Sequence, residues 1–414
     1  MEEWKEYKLE EVTSILGDGI HGTPKYDDEG SIFFINGNNL ENGKIVIKEN
    51  TKRVSSEEAI KHSRPLSNRT ILVSINGTLG NVAKYNGESC ILGKSACYFN
   101  VNEDVDLDFI YYVVANNQFK DTITRLATGT TIKNVSLKTM REYSFWMPSK
   151  ETQKRVSAIL KSLDDKIEVN RRINEQLEEL AGALFKSWFV DFEPFKDGEF
   201  VESELGMIPK GWKVGTLGEV CEKITDGSHY SPKDNPMCNI PMLSVKDMQK
   251  YSFDYNKSKH IDEKEYAKMK ANDCVPLLND ILVAKDGSYL KEIFICKKEI
   301  KQAILSSIAI FRANKSIIYP IILLCILKSP KTLKNVSENY VSGSALPRIV
   351  LKDFKRYNII IPPLESQRRF NDIVCAIYDK IYANVEEIHH LTTLRDTLLP
   401  KLMSGEIDVN EVEI

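Results

Sequence analysis

The stretch "SILGDGIHGTPKY", Ser14 to Tyr26, has a relative in the same chain, "EKITDGSHYSPKD", Glu222 to Asp234. At a shift of 208 residues, the segment from Trp4 to Lys25 shares ten identities in 22 positions with its relative. Two further matches occur at shifts of 210 and 214: "TILVSINGT" (70–78) with "DILVAKDGS" (280–288), and "TGTTIKNVSLKTMREYSFWMP" (128–148) with "SGSALPRIVLKDFKRYNIIIP" (342–362). The chain is therefore a duplication with a period too long for a solenoid.

Each copy begins with a mixed domain of roughly 150 residues. Three apolar runs in the first copy end in Gly, Asn or Pro, which is typical of strands followed by turns: "SIFFING" (31–37), "TILVSING" (70–77) and "YSFWMP" (143–148). The segment "LDFIYYVVANNQFKDTI" (107–123) has helical periodicity. We therefore predict an α/β or mixed α+β fold for each copy.

A long helix is predicted after each mixed domain. "ETQKRVSAILKSLDDKI" and "ESQRRFNDIVCAIYDKI" align at the 214 shift; Pro148 and Pro362 end the preceding strands, and Ser149 or Ser366 could cap the helices. Apolar residues then recur at spacings of three and four, which indicates a coiled coil between two helices, each about 55–60 Å long. The predicted seam residues are Leu163, Ile167, Asn170, Leu177, Leu184, Ile377, Ile381, Asn384, Leu391 and Leu398.

Two asparagines occupy the middle of this seam. Asn170 and Asn384 are equivalent at the 214 shift. A duplicated chain with internal pseudo-twofold symmetry would pair its helices antiparallel, and equivalent residues would then meet only near the axis. We therefore predict that Asn170 and Asn384 face each other and fix the register of an antiparallel coiled coil.

These patterns divide the chain into two similar mixed domains separated by long helices. The predicted boundaries are 1–150 for the first domain, 151–190 for the first helix, 191–211 for a linker, 212–363 for the second domain, 364–403 for the second helix and 404–414 for an acidic C-terminal tail.

Composition is ordinary for a soluble globular protein, but the charge is unevenly distributed along the chain. The chain has 414 residues, 42% hydrophobic and 28% charged. Its net charge of -3 conceals a block, 210–363, that carries +9, whereas 151–209 and 364–414 each carry -5. A basic block suggests a polyanion such as nucleic acid, although a solvated lysine-rich surface would give the same charge. The charged N-terminus does not predict a signal peptide, and the longest apolar run, "SIIYPIILLCIL" (316–327), is too short to span a bilayer. We expect a cytoplasmic location and no membrane contact.

Motifs of catalysis are missing from the sequence. Gly87 and Gly93 in "GESCILGKSA" are separated by five residues, one more than a phosphate-binding loop requires. No cofactor loop, H-E-x-x-H or G-x-S-x-G motif is present, and the eight cysteines form no C-x-x-C pair. We therefore expect no catalytic residue, no cofactor and no metal on this chain, and reduced, buried thiols.

The repeated loops contain the residue types that bind DNA. Gly19 and Gly227 are expected to adopt positive φ in tight turns. Hydroxyl, amide and basic side chains surround them, and these groups read base edges and bind phosphates, although turns use the same residue types. The candidate DNA-binding residues are His21, Thr23, Lys25, Asn76, Thr78, Thr130, Thr131, Lys133, His229, Ser231, Lys233, Lys285, Asp286, Ser288, Ser344 and Arg348.

The order of these features resembles the specificity subunit of type I restriction-modification enzymes over nearly the whole chain. The resemblance rests on "WKEYKLEEV" and "WKVGTLGEV", on "PSKETQKR" and "PPLESQRR", on "LFKSWFVDFEPF" and on "LLPKLMSGEI". It implies a non-catalytic subunit in which two target-recognition domains each read one half of a split, asymmetric double-stranded DNA target. The helices would serve as spacer and as docking sites.

The same resemblance implies the partners. Two modification (methyltransferase) subunits would dock on the helices and methylate adenine with S-adenosylmethionine, which this chain would not bind, and restriction (motor and nuclease) subunits would join them. Two other classes stay open from the residues alone. One is a structural adaptor whose two domains bind proteins without DNA readout, and the other is an unfamiliar two-domain enzyme.

Overall fold

The computed structural model describes residues 4–256, 258–287, 290–343 and 347–409. The chain forms two compact units. Unit 1 contains residues 1–168 and 389–414, and unit 2 contains residues 169–388. Unit 1 is therefore built from two separate pieces of the chain, and unit 2 from one continuous piece.

Unit 1 contains the first mixed domain. Its strands are β1 (Lys5–Lys8), β2 (Thr13–Asp18), β3 (Ile32–Ile35), β4 (Leu40–Glu41), β5 (Lys44–Ile45), β6 (Arg53–Val54), β7 (Thr70–Ser74), β8 (Val82–Lys84), β9 (Cys90–Leu92), β10 (Ala96–Val101) and β11 (Ser144–Met147). Its helices are α1 (Ser56–Lys61), α2 (Leu107–Ala115), α3 (Asn117–Leu126), α4 (Leu137–Arg141) and residues 150–168 of α5 (Lys150–Phe189).

A four-stranded antiparallel sheet forms the centre of unit 1, in the order β2-β10-β7-β8. A smaller sheet, β6-β3-β9, and the pair β1-β11 complete the unit. Phe99, Phe109 and Phe119 are fully buried in its core. The three strands predicted from the sequence are confirmed as β3, β7 and β11.

The helix predicted over 107–123 is interrupted. Asn116 has extended backbone angles, with φ of -79° and ψ of 158°, and its side chain accepts a hydrogen bond from the Phe119 amide. The asparagine therefore ends α2 and caps α3. A continuous helix was wrong because the capping preference of Asn116 outweighs the apolar periodicity on both sides of it.

Unit 2 repeats this architecture. Its strands are β12 (Phe200–Ser203), β13 (Gly206–Pro209), β14 (Lys213–Thr216), β15 (Cys221–Asp226), β16 (Ile240–Leu243), β17 (Lys259–Ile261), β18 (Ile281–Ala284), β19 (Ile293–Ile295), β20 (Ala303–Ile304), β21 (Ile308–Ala313), β22 (Val341–Ser342), β23 (Arg348–Ile349) and β24 (Asn358–Ile361). Its helices are α6 (Leu217–Val220), α7 (Glu263–Ala271), α8 (Pro320–Lys328), α9 (Pro330–Asn339), α10 (Leu351–Phe354), residues 169–189 of α5 and residues 364–388 of α11 (Leu364–Met403).

The central sheet of unit 2 has the order β15-β21-β18-β19, the counterpart of β2-β10-β7-β8. The sheet β17-β16-β20 corresponds to β6-β3-β9, with one antiparallel and one parallel pairing in each. The apolar run 316–327 forms the buried helix α8, which begins at Pro320 because proline is well tolerated in the first turn. The duplication seen in the sequence is therefore a duplication of topology.

One glutamine in each copy joins a long helix to its domain. Gln153 donates to the Pro148 carbonyl at 2.9 Å and accepts from the Asp106 amide at 2.9 Å, where α2 begins. Gln367 donates to the Pro362 carbonyl at 2.8 Å and accepts from the Tyr319 amide at 2.9 Å, where α8 begins. Both side chains are buried. The Gln shared by "PSKETQKR" and "PPLESQRR" thus connects three elements in each unit: the residue after the last strand, the start of a short helix and the first turn of the long helix.

The long helices run antiparallel within each unit. In unit 1, Arg395 of α11 donates to Asp164 of α5 at 2.7 Å. In unit 2, the ring of Phe185 in α5 lies 6.3 Å from that of Phe370 in α11, and Asn384 contacts Asn174. Both helices begin within one residue of the expected positions. Ser366 lies inside α11, however, so it is not the cap considered for that helix.

The seam is set one turn away from the predicted register. Asn384 donates to Asn174 at 2.8 Å, whereas Asn170 donates to Glu387 at 2.9 Å. The prediction of an Asn170–Asn384 amide pair is therefore wrong, because the helices are offset by four residues, about 6 Å. Ile167, Asn170, Ile381 and Asn384 are buried. The remaining predicted seam residues are half-buried: Leu163, Leu177, Leu184, Ile377, Leu391 and Leu398.

Two segments predicted as linker and tail are packed. In unit 2, Phe192 and Phe195 contact Trp212, with ring centroids 5.4 and 4.9 Å apart, and β12 and β13 form a hairpin. In unit 1, Val409 is buried in the core, and Gly405 lies against Trp4. The tail is therefore folded as far as residue 409.

Candidate nucleic-acid interface

Sheet topology brings the repeated loops to one edge of each central sheet. In unit 1, Asp18 at the end of β2 pairs with Cys97, and Ser74 at the end of β7 pairs with Ala96. Because neighbouring strands are antiparallel, the ends of β2 and β7 lie beside the start of β10. The loops that follow Asp18 and Ser74 therefore leave the same edge, which we call the loop edge of unit 1.

Unit 2 has the same arrangement. Asp226 at the end of β15 pairs with Ala309, and Ala284 at the end of β18 pairs with Ile308. The loops that follow Asp226 and Ala284 leave beside the start of β21 and form the loop edge of unit 2. The sequence matches at shifts of 208 and 210 thus mark structurally equivalent loops.

Gly19 and Gly227 are required by close packing rather than by positive φ. Their φ angles are not positive, so the expected tight turn is wrong. A Cβ atom on Gly19 would lie 2.0 Å from the Leu92 carbonyl oxygen, and one on Gly227 would lie 2.3 Å from that of Ile304. The following amides, of Ile20 and Ser228, donate to those same carbonyls at 2.8 Å. Only glycine allows this approach of two backbones.

An exposed histidine follows each glycine and contacts an aspartate of its own loop. His21 Nε2 lies 2.9 Å from Asp18 Oδ2, and His229 Nε2 lies 3.3 Å from Asp226 Oδ2. The two imidazole side chains are 74% and 77% exposed. The sequence suggested both histidines, but it did not identify their aspartate partners, although the shared Asp-Gly-x-His spacing was visible.

A hairpin from elsewhere in the chain completes the loop edge of unit 1. Thr128 and Asn134 exchange backbone hydrogen bonds of 2.9 and 2.8 Å. Asn76 donates from its side chain to Asn134 Oδ1 at 3.1 Å, and the Val135 amide donates to the Ile75 carbonyl at 2.8 Å. The segments 75–78 and 128–135 are far apart in sequence, but these hydrogen bonds bring the candidate residues of both segments to one surface.

In unit 2 the same backbone contacts carry different side chains. The Ile349 amide donates to the Lys285 carbonyl at 3.0 Å, as Val135 does to Ile75. Asp286 and Arg348 form the bridge that Asn76 and Asn134 form in unit 1. A neutral amide pair in one unit is thus replaced by an acidic and a basic residue in the other.

Lys285 does not face solvent as expected. Its side chain is 9% exposed, and its Nζ lies 2.6 Å from Asp226 Oδ2 and 3.5 Å from Asp286 Oδ1. The equivalent position in unit 1 is Ile75, also buried. Lys285 therefore stabilises the loop edge from inside the unit and is not part of the surface that could contact a ligand.

The other candidates differ in exposure. Asn76 and Asp286 are half-buried. Ser288 and Ser344 lie outside the described residues. The exposed candidates are His21, Thr23, Lys25, Thr78, Thr130, Thr131, Lys133, His229, Ser231, Lys233 and Arg348.

Sequence reasoning missed an aromatic and basic cluster beside the first loop. Tyr26 is 45% exposed, its ring centroid lies 5.9 Å from that of Phe34, and Lys52 Nζ lies 5.9 Å from its ring. Lys52 comes from a segment without a match in the second copy, so comparison of the repeats could not reveal it. Arg53, the next residue, is also exposed and lies over the Phe33 ring.

The cysteines give no sign of redox or nucleophilic chemistry. All eight are free, and five are buried. Burial raises the pKa of the Cys221 thiol to about 12, which disfavours the reactive thiolate. Across the described ranges, no group of three or more His, Cys, Asp or Glu side chains is placed to hold a metal ion. Nor does any helix within those ranges combine the length and apolar character needed to cross a membrane.

A family model for the type I restriction modification DNA specificity domain matches residues 1–179 and again residues 209–391. The two matches coincide with the two copies. The chain therefore belongs to the type I restriction-modification DNA specificity family, whose role is DNA sequence recognition and which is itself non-catalytic. The predicted family and mixed α/β fold with two similar domains are confirmed.

Individual relatives agree with this assignment over 95% or more of their length. The MjaIX specificity subunit of Methanocaldococcus jannaschii is 29% identical, over 99% of this chain and 95% of its own length. The HindI specificity subunit of Haemophilus influenzae is 24% identical, over 98% of this chain and all of its own. A crystal structure of an S subunit from M. genitalium shares the fold, with a TM-score of 0.55 and 19% identity over 97% of this chain and 96% of that one.

Proposed function

We propose that this chain reads a bipartite, asymmetric double-stranded DNA target, with one loop edge for each half-site. One observation carries the proposal. The two loop edges share their backbone hydrogen bonds, yet different side chains lie where the two loops of each edge meet. The equivalent bonds are Ile20–Leu92 with Ser228–Ile304, and Ile75–Val135 with Lys285–Ile349. Two domains that recognise different base sequences need the same backbone arrangement with different side chains on its surface.

We further propose that two modification subunits dock on the long helices and that S-adenosylmethionine binds to those subunits, not to this chain. The segments that contain the helices each carry a net charge of -5, which suits protein contacts better than DNA. Two copies of one partner need two equivalent surfaces, and the duplicated helices provide them. Restriction subunits would join this core.

The test is reconstitution with the modification subunits, followed by measurement of DNA affinity against salt and mapping of methylated adenines. We expect salt-dependent, sequence-specific binding, and methylation only when the modification subunits are present. Lys25→Ala and Lys233→Ala should each weaken binding, whereas Lys210→Ala, a similarly exposed lysine paired with Glu199, should not. Salt-independent binding, or none, would favour a protein adaptor. Methylation by the purified chain alone would contradict the non-catalytic role.

A further inference from the structure

The two loop edges are identical in one respect and different in another. Asp18, His21 and Lys25 recur as Asp226, His229 and Lys233, and the histidine contacts the aspartate in both copies. Other equivalent positions on the same edges differ between the copies: Asn76 corresponds to Asp286, Lys133 to Pro347, and Asn134 to Arg348. A single unit thus combines shared and unshared residues within one surface.

Shared residues suit a feature that both half-sites have in common. The bases of an asymmetric target differ between its halves, whereas the sugar-phosphate backbone is the same in both. We propose that His21 and His229 each contact a backbone phosphate, one at each half-site, and that Asp18 and Asp226 are the positioning residues that orient their rings. The residues that differ between the copies on the same edges read the bases. This inference rests on the proposed function and assigns a role to each part of the site.

The geometry of the histidines determines how such a contact is made. The carboxylate of Asp18 can only accept a hydrogen bond, so His21 Nε2 must carry hydrogen, and Nδ1 is the nitrogen left for the ligand. In a neutral ring Nδ1 is an acceptor, as are phosphate oxygens. Nδ1 therefore donates to phosphate only when the ring is an imidazolium. A contact to a base amino group would need the opposite, neutral form.

Charged groups around each ring differ between the units. Asp18 faces His21, and Arg64 donates from Nε to the Asp18 carbonyl at 2.9 Å. In unit 2, Asp226 faces His229 but is also bound by Lys285 at 2.6 Å. The carboxylate of Asp226 is thus shared between the His229 ring and the Lys285 ammonium, and the His229 contact is longer than that of His21. We expect the phosphate contact to be stronger in unit 1.

The experiment uses the reconstituted complex and a duplex containing the mapped target. Affinity is measured against salt at about pH 6 and about pH 8 for wild type, His21→Ala, His229→Ala and the double variant. At the lower pH, His21→Ala should lose about tenfold in affinity and His229→Ala less, and each should lower the salt slope by about 0.9. At the higher pH, the differences between wild type and the variants should be smaller. The methylated sequence should stay unchanged throughout.

Two further variants separate positioning from general effects. Asp18→Asn retains an acceptor for His21 but removes the charge, so the gain in affinity toward low pH should shrink in unit 1. His390→Ala removes an exposed histidine from α11 and should leave the pH dependence as in wild type. Both loop histidines are largely exposed, so unfolding midpoints should not change.

Several outcomes would overturn the inference. Altered methylation at one half-site, or binding that weakens toward low pH, would make the histidine a base contact. Unchanged affinity and slope would mean no contact. Weaker assembly of the complex without DNA would place the histidines against a modification subunit. If wild type itself shows no salt-dependent, sequence-specific binding, the proposed function fails, which is a result distinct from all of these.

Discussion

The loop edges of unit 1 and unit 2 have the same backbone contacts but different side chains. At the crossing of the loops, unit 1 has the Asn76–Asn134 amide pair, and unit 2 has Asp286 and Arg348. Beneath the crossing, unit 1 has apolar Ile75, and unit 2 has Lys285 bound to Asp226. The backbone arrangement of the loop edge therefore does not depend on these side chains, so the same arrangement can be adapted to different ligands.

Exchange of one whole domain should give the largest effect and tests whether the two units recognise DNA independently. Replacing residues 210–362 with the same domain of a relative should change one half of the methylated target and leave the other half as it was, because each loop edge closes within its own unit. Mapping of methylated adenines measures the result. A change in both halves would show that the two units do not read independently.

The ion pair of unit 2, between buried Lys285 and half-buried Asp226, should give the largest effect on stability. Lys285→Ile copies unit 1 but leaves Asp226 without its ammonium partner, at a cost of about 3 kcal/mol. Denaturant unfolding with hydrogen exchange should locate the loss in unit 2. Lys285→Ile with Asp226→Asn should recover part of it. A Lys285→Ile variant as stable as wild type would mean that the pair is unimportant, and equal stability of the single and double variants would mean that the unpaired Asp226 carboxylate is not the cause of the loss.

The shared glutamines should give matching effects in both units. Gln153→Ala and Gln367→Ala each remove the hydrogen bonds that a buried side chain makes to backbone groups, at about 2 kcal/mol apiece. Segment-resolved hydrogen exchange should show each loss in its own unit. Gln176→Ala, at an exposed position of α5, serves as the control. A loss in only one unit would break the equivalence of the two units.

The amide pair of unit 1 should give the smallest effect. Asn76→Ala removes a partly buried hydrogen bond at about 1 kcal/mol and leaves the backbone contacts of Ile75 and Val135 in place. Hydrogen exchange of the 128–135 hairpin should rise, and any altered methylation should be confined to one half-site. An effect on both half-sites would contradict the assignment of this pair to unit 1.

The duplication and the long helices could be predicted because their signals are local and periodic. The seam register could not, since Asn170 and Asn174 lie on the same face of α5 and periodicity does not choose between them as partners of Asn384. The break at Asn116 was missed because a single capping side chain overrode a longer apolar pattern.

At the candidate site, the loops could be predicted and the states of some side chains could not. The repeat identified the segments that meet at each edge. The sequence gives no sign that Lys285 is buried, because its ion-pair partner, Asp226, lies 59 residues away on another strand. Gly19 likewise looked like a turn residue, whereas its role depends on Leu92, which only the fold brings near.

The discontinuity of unit 1 has a consequence for biosynthesis. Unit 2 is one continuous stretch, residues 169–388, so it can fold as soon as that stretch has left the ribosome. Unit 1 is begun first but lacks residues 389–409, which include Leu399, Leu402 and Val409 of its core. The first domain to be translated is therefore the last to be completed, and its unfinished core stays exposed while unit 2 is made. A stop codon at 389 should accordingly damage unit 1, although most of its residues are encoded far upstream of that codon.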